Sequence, residues 1–137
     1  MKFGYTIIYV PDVAASLEFF QRAFGLSPRF LDPSGNYGEL ETGATTLAFA
    51  SQALVAADAA GGYVFASASS QPLGMEVAFV CDDVAAAHAT ALAAGACEHA
   101  PPTAKPWGQT VSYVRCPDGA LVELCTPVVA GSDDDAG

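Results

Sequence analysis

The spacing of apolar and polar positions predicts the same order of structural elements twice along the chain. Each half begins with a strand rich in β-branched and aromatic residues, at about 4–10 and about 75–81, and each strand leads into a helix. Three further strands follow each helix, and we place them at about 28–32, 37–42 and 45–51, then at about 97–100, 110–115 and 120–126. The chain is therefore predicted to be an α+β protein built from two βαβββ modules.

An internal repeat supports this division. Residues 5–25 align with residues 76–96, and the tetrapeptide that starts at Asp12 recurs without change at Asp83. In each half the aspartate is placed to cap the N-terminus of the helix, and a glycine follows where the helix must end. The same order of elements, with the same residues at the start and end of the helix, indicates a duplicated module.

Both modules are predicted to form a single domain over residues 1–128. The first module covers about 1–52 and the second about 75–128. The linker at 53–74 is rich in glycine, serine and alanine, so we expect a loop with room for one short element. Residues 129–137 include three consecutive aspartates and are expected to form a flexible acidic tail.

Side chains alternate between two faces along the strands that open and close each half. One face is entirely apolar and is predicted to pack against the helices: Ile8, Val10, Leu47, Phe49, Val77, Phe79, Val122 and Leu124. The other face mixes small, aromatic and acidic residues: Tyr5, Ile7, Tyr9, Thr46, Ala48, Glu76, Ala78, Val80, Leu121, Glu123 and Cys125. Apolar walls with a few polar groups are typical of a ligand cavity. We therefore favour a curved sheet around a cavity over a sheet surface that faces solvent.

Charge narrows the range of partners. The formal net charge is −10, from 15 acidic and 5 basic residues, so nucleic acid and anionic membranes would be repelled. No apolar run approaches the length that spans a bilayer, and the N-terminus lacks a secretory signal, which makes the cytoplasm the expected location. The four cysteines lack CxxC spacing and are expected to be reduced.

The strand and helix at 5–20, followed by Phe24-Gly25-Leu26, resemble the opening of the vicinal oxygen chelate superfamily. This group includes lactoylglutathione lyases, extradiol dioxygenases, fosfomycin-resistance enzymes and bleomycin-binding proteins. The segment from Trp107 to Leu124 is similar to the final hairpin of that family, so the resemblance covers about 3–127. It implies a U-shaped mixed sheet around a cavity and a homodimer with sites near the subunit interface. It leaves open whether the modules pair within one chain or are swapped between chains.

The resemblance also implies four metal-ligand positions, one on the first and last strand of each module. In this chain they fall on Tyr5, Ala48, Glu76 and Glu123, where the family has His or Gln, Glu, His and Glu. Only Glu123 matches. Alanine has no donor atom, neutral tyrosine is a poor ligand for zinc, nickel or iron(II), and two carboxylates alone make a weak site. We therefore expect no metal and no other cofactor.

Glu76 and Glu123 are the candidate catalytic residues, because a carboxylate on a partly enclosed face is costly unless it is paired or used. They could bind a cationic or hydrogen-donating ligand, share a proton, or act as a general base. Alternatively, one or both could pair with Arg115 or reach water at the mouth of the cavity. Tyr5, Tyr9, Ala48, Trp107, Tyr113 and Arg115 are the candidate ligand-binding residues, and Tyr37 is a further aromatic candidate.

Trp107 and the two histidines each have a structural interpretation. Trp107 precedes the penultimate strand, where it could stack on a ligand or anchor packing and dimer contacts. His88 occupies the helix position of Leu17 and is expected to pack at the edge of the core, and His99 is expected at the surface.

We predict a member of this family that binds a small apolar or aromatic molecule in a dimeric cavity, without the family metal. Sequestration, sensing, resistance, or metal-free chemistry using Glu123 would fit such a site. The alternative is a metal-dependent lyase, isomerase or dioxygenase with an altered ligand set around Glu76 and Glu123. A third hypothesis is an interaction module that uses the dimer surface and binds no ligand. Metal analysis and ligand-induced stabilisation separate the three.

Overall fold

The computed structural model of the chain describes residues 1–58 and 62–128. The predicted acidic tail at 129–137 therefore lies outside the described residues. The elements of the first module are β1 (Tyr5–Val10), α1 (Val13–Phe24), β2 (Pro28–Leu31), β3 (Tyr37–Leu40) and β4 (Thr46–Ser51). The helix α2 (Gln52–Asp58) and a short 3-10 helix (Ala66–Ala68) follow. The second module contains β5 (Val77–Val80), α3 (Val84–Ala94), β6 (Cys97–Ala104), β7 (Thr110–Arg115) and β8 (Leu121–Cys125).

Each module forms its own four-stranded mixed sheet. The strand orders are β1-β4-β3-β2 and β5-β8-β7-β6, so the first and last strands of each module pair in parallel. Ile7 lies opposite Ala48 in the first sheet, and Ala78 lies opposite Glu123 in the second. The predicted α+β class with two βαβββ modules is confirmed, and the two sheets have the same topology.

Helices α1 and α3 begin in the same way. The side chain of Asp12 accepts a hydrogen bond of 3.1 Å from the backbone N–H of Ala15, and Asp83 does the same for Ala86 at 3.0 Å. An aspartate in this position satisfies a backbone donor that the helix leaves free and stabilises its first turn. The repeated tetrapeptide is thus a repeated helix start.

The apolar strand face and the two helices enclose one core shared by both modules. Phe20 on α1 is fully buried and meets Phe49 on β4 edge to face, with the ring centroids 4.9 Å apart. The ring centroid of Phe20 also lies 6.3 Å from that of Phe79 on β5, so this contact joins the first module to the second. The predicted core face is buried or packed against this cluster along its whole length. Burial of such aromatic rings stabilises this interface between modules.

Three elements differ from the prediction. Strand β6 continues past residue 100 to Ala104 and includes Pro101 and Pro102, because it is an edge strand where a missing N–H can face outward. Strand β5 is shorter than predicted and begins at Val77, so Glu76 precedes the strand. The linker contains two short elements, since α2 follows β4 directly and the 3-10 helix comes later.

Among the described helices, none has both the length and the apolar character needed to cross a membrane.

Candidate functional site

A cavity of about 330 Å³ lies between the two edge strands β1 and β5. The middle of β1 forms one wall, and the residues that lead into β5 form the opposite wall. The turn before β8 and the linker segment at 63–66 also line the cavity. The lining residues are Ile7, Ile8, Tyr9, Tyr63, Val64, Phe65, Ala66, Leu73, Met75, Glu76, Val77, Gly119, Ala120 and Leu121.

Hydrogen bonds from Arg115 hold the linker in place beside the cavity. Its guanidinium group donates to the carbonyl oxygens of Ala66 and Ser69, each at 2.9 Å, and to that of Ser70 at 3.3 Å. A further bond of 3.2 Å goes to the carbonyl oxygen of Gly119. Arg115 therefore joins the linker to the turn before β8. The predicted alternative in which it pairs with a carboxylate is not what the structure shows.

Aromatic rings form part of the lining. The rings of Tyr9 and Tyr63 meet edge to face, with centroids 5.2 Å apart and planes at 81°. Phe65 continues this group, with its ring 5.9 Å from that of Tyr63. Tyr63 is half exposed, so the aromatic wall reaches the mouth of the cavity. Rings in this arrangement offer both faces and edges to a ligand.

Glu76 brings a carboxyl group to this apolar cavity. Partial removal of water raises the pKa of Glu76, and the charge of Glu123 together with a hydrogen bond to it raises that pKa further. Glu123 in turn accepts a hydrogen bond of 2.9 Å from the Tyr113 hydroxyl group. Burial, followed by the Glu123 contact, raises the pKa of Tyr113 to about 12. Glu76, Glu123 and Tyr113 are thus brought together, although only Glu76 lines the cavity.

The first module has a different polar group at the corresponding place. Glu39 lies opposite Ala48, just as Tyr113 lies opposite Glu123. Glu39 accepts hydrogen bonds from the Tyr37 hydroxyl group at 2.7 Å and from the Arg29 guanidinium group at 2.9 Å. The Tyr37 hydrogen bond, and then Arg29, hold the pKa of Glu39 below its ordinary value. Glu39 is therefore already neutralised by an ion pair.

The four positions that the family resemblance implies for a metal do not fit one in this chain. Ala48 is fully buried and has no donor atom, and Tyr5 supplies only a phenol group on an exposed side chain. The nearest acid to Ala48 across the strands is Glu39, which is engaged by Arg29 and Tyr37. Within residues 1–58 and 62–128, no group of three or more His, Cys, Asp or Glu side chains is placed to hold a metal ion. The side chains at these four positions therefore do not form a typical structural or catalytic site for a divalent metal ion.

Other candidates lie away from the cavity. Trp107 is exposed on the loop before β7, and its indole N–H donates to the Gln109 side-chain oxygen at 2.7 Å. Tyr5 is exposed on β1, beyond the residues that line the cavity. His88 is buried, with its ring nitrogens 2.9 Å from Ser112 Oγ and 2.9 Å from Glu98 Oε1, which agrees with the predicted packing role. His99 is exposed, as predicted.

Several lining residues were missed by sequence reasoning. Tyr63, Val64 and Phe65 belong to the linker, and Gly119 and Ala120 belong to the turn before β8. The only hint in the sequence is that an aromatic and β-branched run at 63–65 stands within an otherwise small and polar linker. No alternation rule applies to such a segment, because residues 63–65 belong to neither a helix nor a strand.

Comparison with known proteins gives one consistent family. The model of the Glyoxalase/Bleomycin resistance protein/Dioxygenase superfamily matches residues 2–124. A search of curated proteins gives no match.

Solved structures of related proteins share the fold. A glyoxalase-related enzyme from Fulvimarina pelagi superimposes with a TM-score of 0.77 at 24% identity, covering 93% of this chain and 88% of that chain. A glyoxalase/bleomycin resistance protein/dioxygenase family enzyme from Burkholderia phytofirmans PsJN superimposes with a TM-score of 0.76 at 19% identity. The match covers 94% of this chain and 100% of that chain. TioX from Micromonospora sp. ML1 superimposes with a TM-score of 0.65 at 20% identity, covering 92% of this chain and 98% of that chain. At these identities the likeness extends to the fold alone.

Proposed function

The chain belongs to the Glyoxalase/Bleomycin resistance protein/Dioxygenase superfamily, and we propose that it binds a small apolar or aromatic molecule in the cavity between β1 and β5, without the family metal. The observation that carries this proposal is the cavity itself. Its volume of about 330 Å³ falls at the lower end of the range of small-molecule sites, and its lining is mostly apolar and aromatic. Binding rather than catalysis is the activity that these walls support best.

The ligand would be enclosed by side chains from three parts of the fold. Ile7 and Tyr9 on β1 form one wall, Met75 and Val77 form another, and Tyr63 contributes from the linker. Removal of a ligand's apolar surface from water contributes about 25 cal/mol for each Å² buried. Glu76 supplies a polar contact that orients the ligand at the edge of this apolar surface.

Direct titration tests the proposal with N-phenyl-1-naphthylamine, a neutral aromatic dye whose fluorescence rises in apolar sites. We expect the purified protein to bind it in a saturable manner. Ile7→Ser should weaken binding by about tenfold, since a buried aliphatic contact contributes about 1.5–3 kcal/mol. The matched control is Leu31→Ser on β2, because Leu31 is 44% exposed and Ile7 is 45% exposed, but Leu31 lies outside the cavity. An absence of saturable binding, or equal effects of the two substitutions, would overturn the proposal.

Metal content tests the second part of the proposal. After incubation with nickel, zinc, iron(II) or manganese and then desalting, we expect far less than one metal ion per chain, because Ala48 and Tyr5 offer no adequate donors. Inductively coupled plasma mass spectrometry gives the ratio. Near-stoichiometric metal that is lost in Glu123→Ala would contradict the metal-free proposal and favour a lyase, isomerase or dioxygenase with an altered ligand set.

We also propose that the protein is a homodimer. In the single chain, large apolar side chains are exposed on and beside the edge strands, among them Phe3, Tyr5, Met75 and Val80. A second copy of the chain would remove this surface from water. Strands β1 and β5 themselves contain no charged residue, which is typical of the central part of a protein interface.

A further inference from the structure

We propose that the cavity between β1 and β5 selects ligands that carry a positive charge on an aromatic or apolar body. This inference rests on the proposed function and adds the charge of the ligand to it. The geometry that supports it is the position of one carboxyl side chain, Glu76, within walls that are otherwise apolar and aromatic. Among the described lining residues, Glu76 is the one with an ionisable acid or base other than the tyrosine hydroxyl groups.

The basic residues of the chain do not neutralise this acid. Arg22 lies 3.8 Å from Glu18, and Arg29 lies 2.9 Å from Glu39. Arg115 is directed to backbone carbonyl groups of the linker. Among the described residues, none of the ion pairs involves Glu76. The contact that the structure gives this carboxyl group is with another acid, Glu123, and not with a base.

The aromatic walls favour the same type of ligand. Tyr9 and Tyr63 both line the cavity, and their rings meet edge to face with centroids 5.2 Å apart. A cation over the face of a tyrosine ring is attracted by the negative electrostatic potential of that face. A carboxyl group together with such rings recognises an ammonium group better than it recognises a neutral hydroxyl group.

Electrostatics outside the cavity act in the same direction. The formal net charge of −10 attracts cations and repels anions during the encounter. Glu123 adds a second carboxyl group beside Glu76. An anion of the same size would meet uncompensated repulsion from these groups, so the order of affinity should be cation, neutral molecule, anion.

Three naphthalene compounds of similar size separate these possibilities. The amine 1-naphthylmethylamine is cationic at neutral pH, 1-naphthalenemethanol is neutral, and 1-naphthoic acid is anionic. Each is titrated against the full chain loaded with N-phenyl-1-naphthylamine. We expect the amine to displace the dye at about tenfold lower concentration than the alcohol, and the acid to be the weakest.

Substitution of Glu76 identifies the group responsible. In Glu76→Gln we expect the amine to lose its advantage, so that the amine and the alcohol compete equally. Glu18→Gln is the matched control, because it removes one negative charge from an exposed position on α1 and should preserve the preference for the amine. A far-ultraviolet circular dichroism spectrum and a melting temperature close to those of the wild type show that Glu76→Gln is folded.

The outcomes distinguish this inference from the proposed function. If the alcohol competes as well as the amine in the wild-type protein, the inference of a cationic ligand is overturned while the cavity remains a binding site. If Glu76→Gln retains the preference for the amine, the assignment to Glu76 is overturned. If the dye itself does not bind, the proposed function fails, and the inference fails with it.

Discussion

Ser16 Oγ donates a hydrogen bond of 2.7 Å to Asp118 Oδ2, although the two residues are 102 positions apart in the sequence. Ser16 lies on helix α1 of the first module, and Asp118 lies in the turn between β7 and β8 of the second. Both side chains are buried. The other carboxylate oxygen of Asp118 accepts a hydrogen bond of 3.0 Å from the backbone N–H of Ala120, which lines the cavity. The contact thus joins the modules and orders the turn beside the cavity.

Removal of the Ser16 hydroxyl group should destabilise the protein. We expect Ser16→Ala to lower the free energy of unfolding by about 1–3 kcal/mol, because a buried carboxylate oxygen loses its hydrogen-bond donor. Urea denaturation of both proteins gives the difference. Ser27→Ala, at an exposed position, should stay within about 0.5 kcal/mol of the wild type. Equal stability of the two variants would show that the contact between the modules contributes little.

Gly119 is predicted to be required for the close approach of the linker. Its φ of +91° is a left-handed conformation, and a Cβ atom there would clash with the backbone carbonyl group of Ala66. Gly119→Ala should therefore displace the cavity cover and weaken dye binding. Gly43→Ala is the control, because Gly43 has a φ of +88° and nothing within 4 Å of an added Cβ atom.

Both glycine variants are expected to lose about 1–3 kcal/mol of stability from backbone strain. Only Gly119→Ala should lose dye affinity as well, and a fluorescence titration at a temperature where both variants are folded measures this. Loss of dye binding in Gly43→Ala, or normal binding in Gly119→Ala, would contradict the role of the linker as part of the cavity.

The stabilising contribution of Glu39 should depend on pH. The Tyr37 hydrogen bond, and then Arg29, lower the pKa of folded Glu39 from its ordinary value of 4.5. A carboxyl group whose pKa is lower in the folded state than in the unfolded state stabilises the protein at pH values above the unfolded-state pKa. This stabilisation is lost as the pH falls through the folded-state pKa. Glu39→Gln should therefore be less stable than the wild type at neutral pH, and the difference should shrink below pH 4.5.

Urea denaturation of dilute protein at several pH values measures this difference. Glu18→Gln serves as the control, because Glu18 is mostly exposed and makes only a long ion pair of 3.8 Å. Its difference from the wild type should be small at every pH. A difference for Glu39→Gln that grows as the pH falls would have the opposite sign to the one expected from a lowered pKa.

The proposed homodimer predicts a specific response to charge on β5. Size-exclusion chromatography with light scattering should give the wild type twice the chain mass of 14.0 kDa. Val80→Asp should shift the protein towards the monomer, because a carboxylate at this 65% exposed position would be buried without a partner in the interface. Val128→Asp, at a 58% exposed position after β8, should remain dimeric. A monomeric wild type would contradict the proposal.

The fold could be predicted from the sequence because local rules act on it directly. Strand alternation identified the apolar core face that contains Phe49 and Leu124, and both are buried. The repeated helix start at Asp12 and Asp83 identified the two modules, and both aspartates cap their helices. These features depend on contacts within a few residues or on a simple periodicity.

The candidate site could be predicted only in part. Glu76 and Tyr9 line the cavity, but its cover at Tyr63 and Phe65 belongs to a linker that has no periodic pattern. The later part of that linker is held by Arg115, which lies 46 positions from its hydrogen-bond partner Ser69 in the sequence. Such a long-range hydrogen bond leaves no trace in local spacing.

Backbone amide shifts during a ligand titration test the central claim most directly, because they locate the binding site without any substitution. The protein is labelled with ¹⁵N and titrated with 1-naphthalenemethanol, so that the result does not depend on the charge of the ligand. We predict that the largest shifts fall on residues 7–9, 63–66, 75–77 and 119–121, which surround the cavity. Shifts confined to other parts of the chain, or none at saturating ligand, would contradict the account.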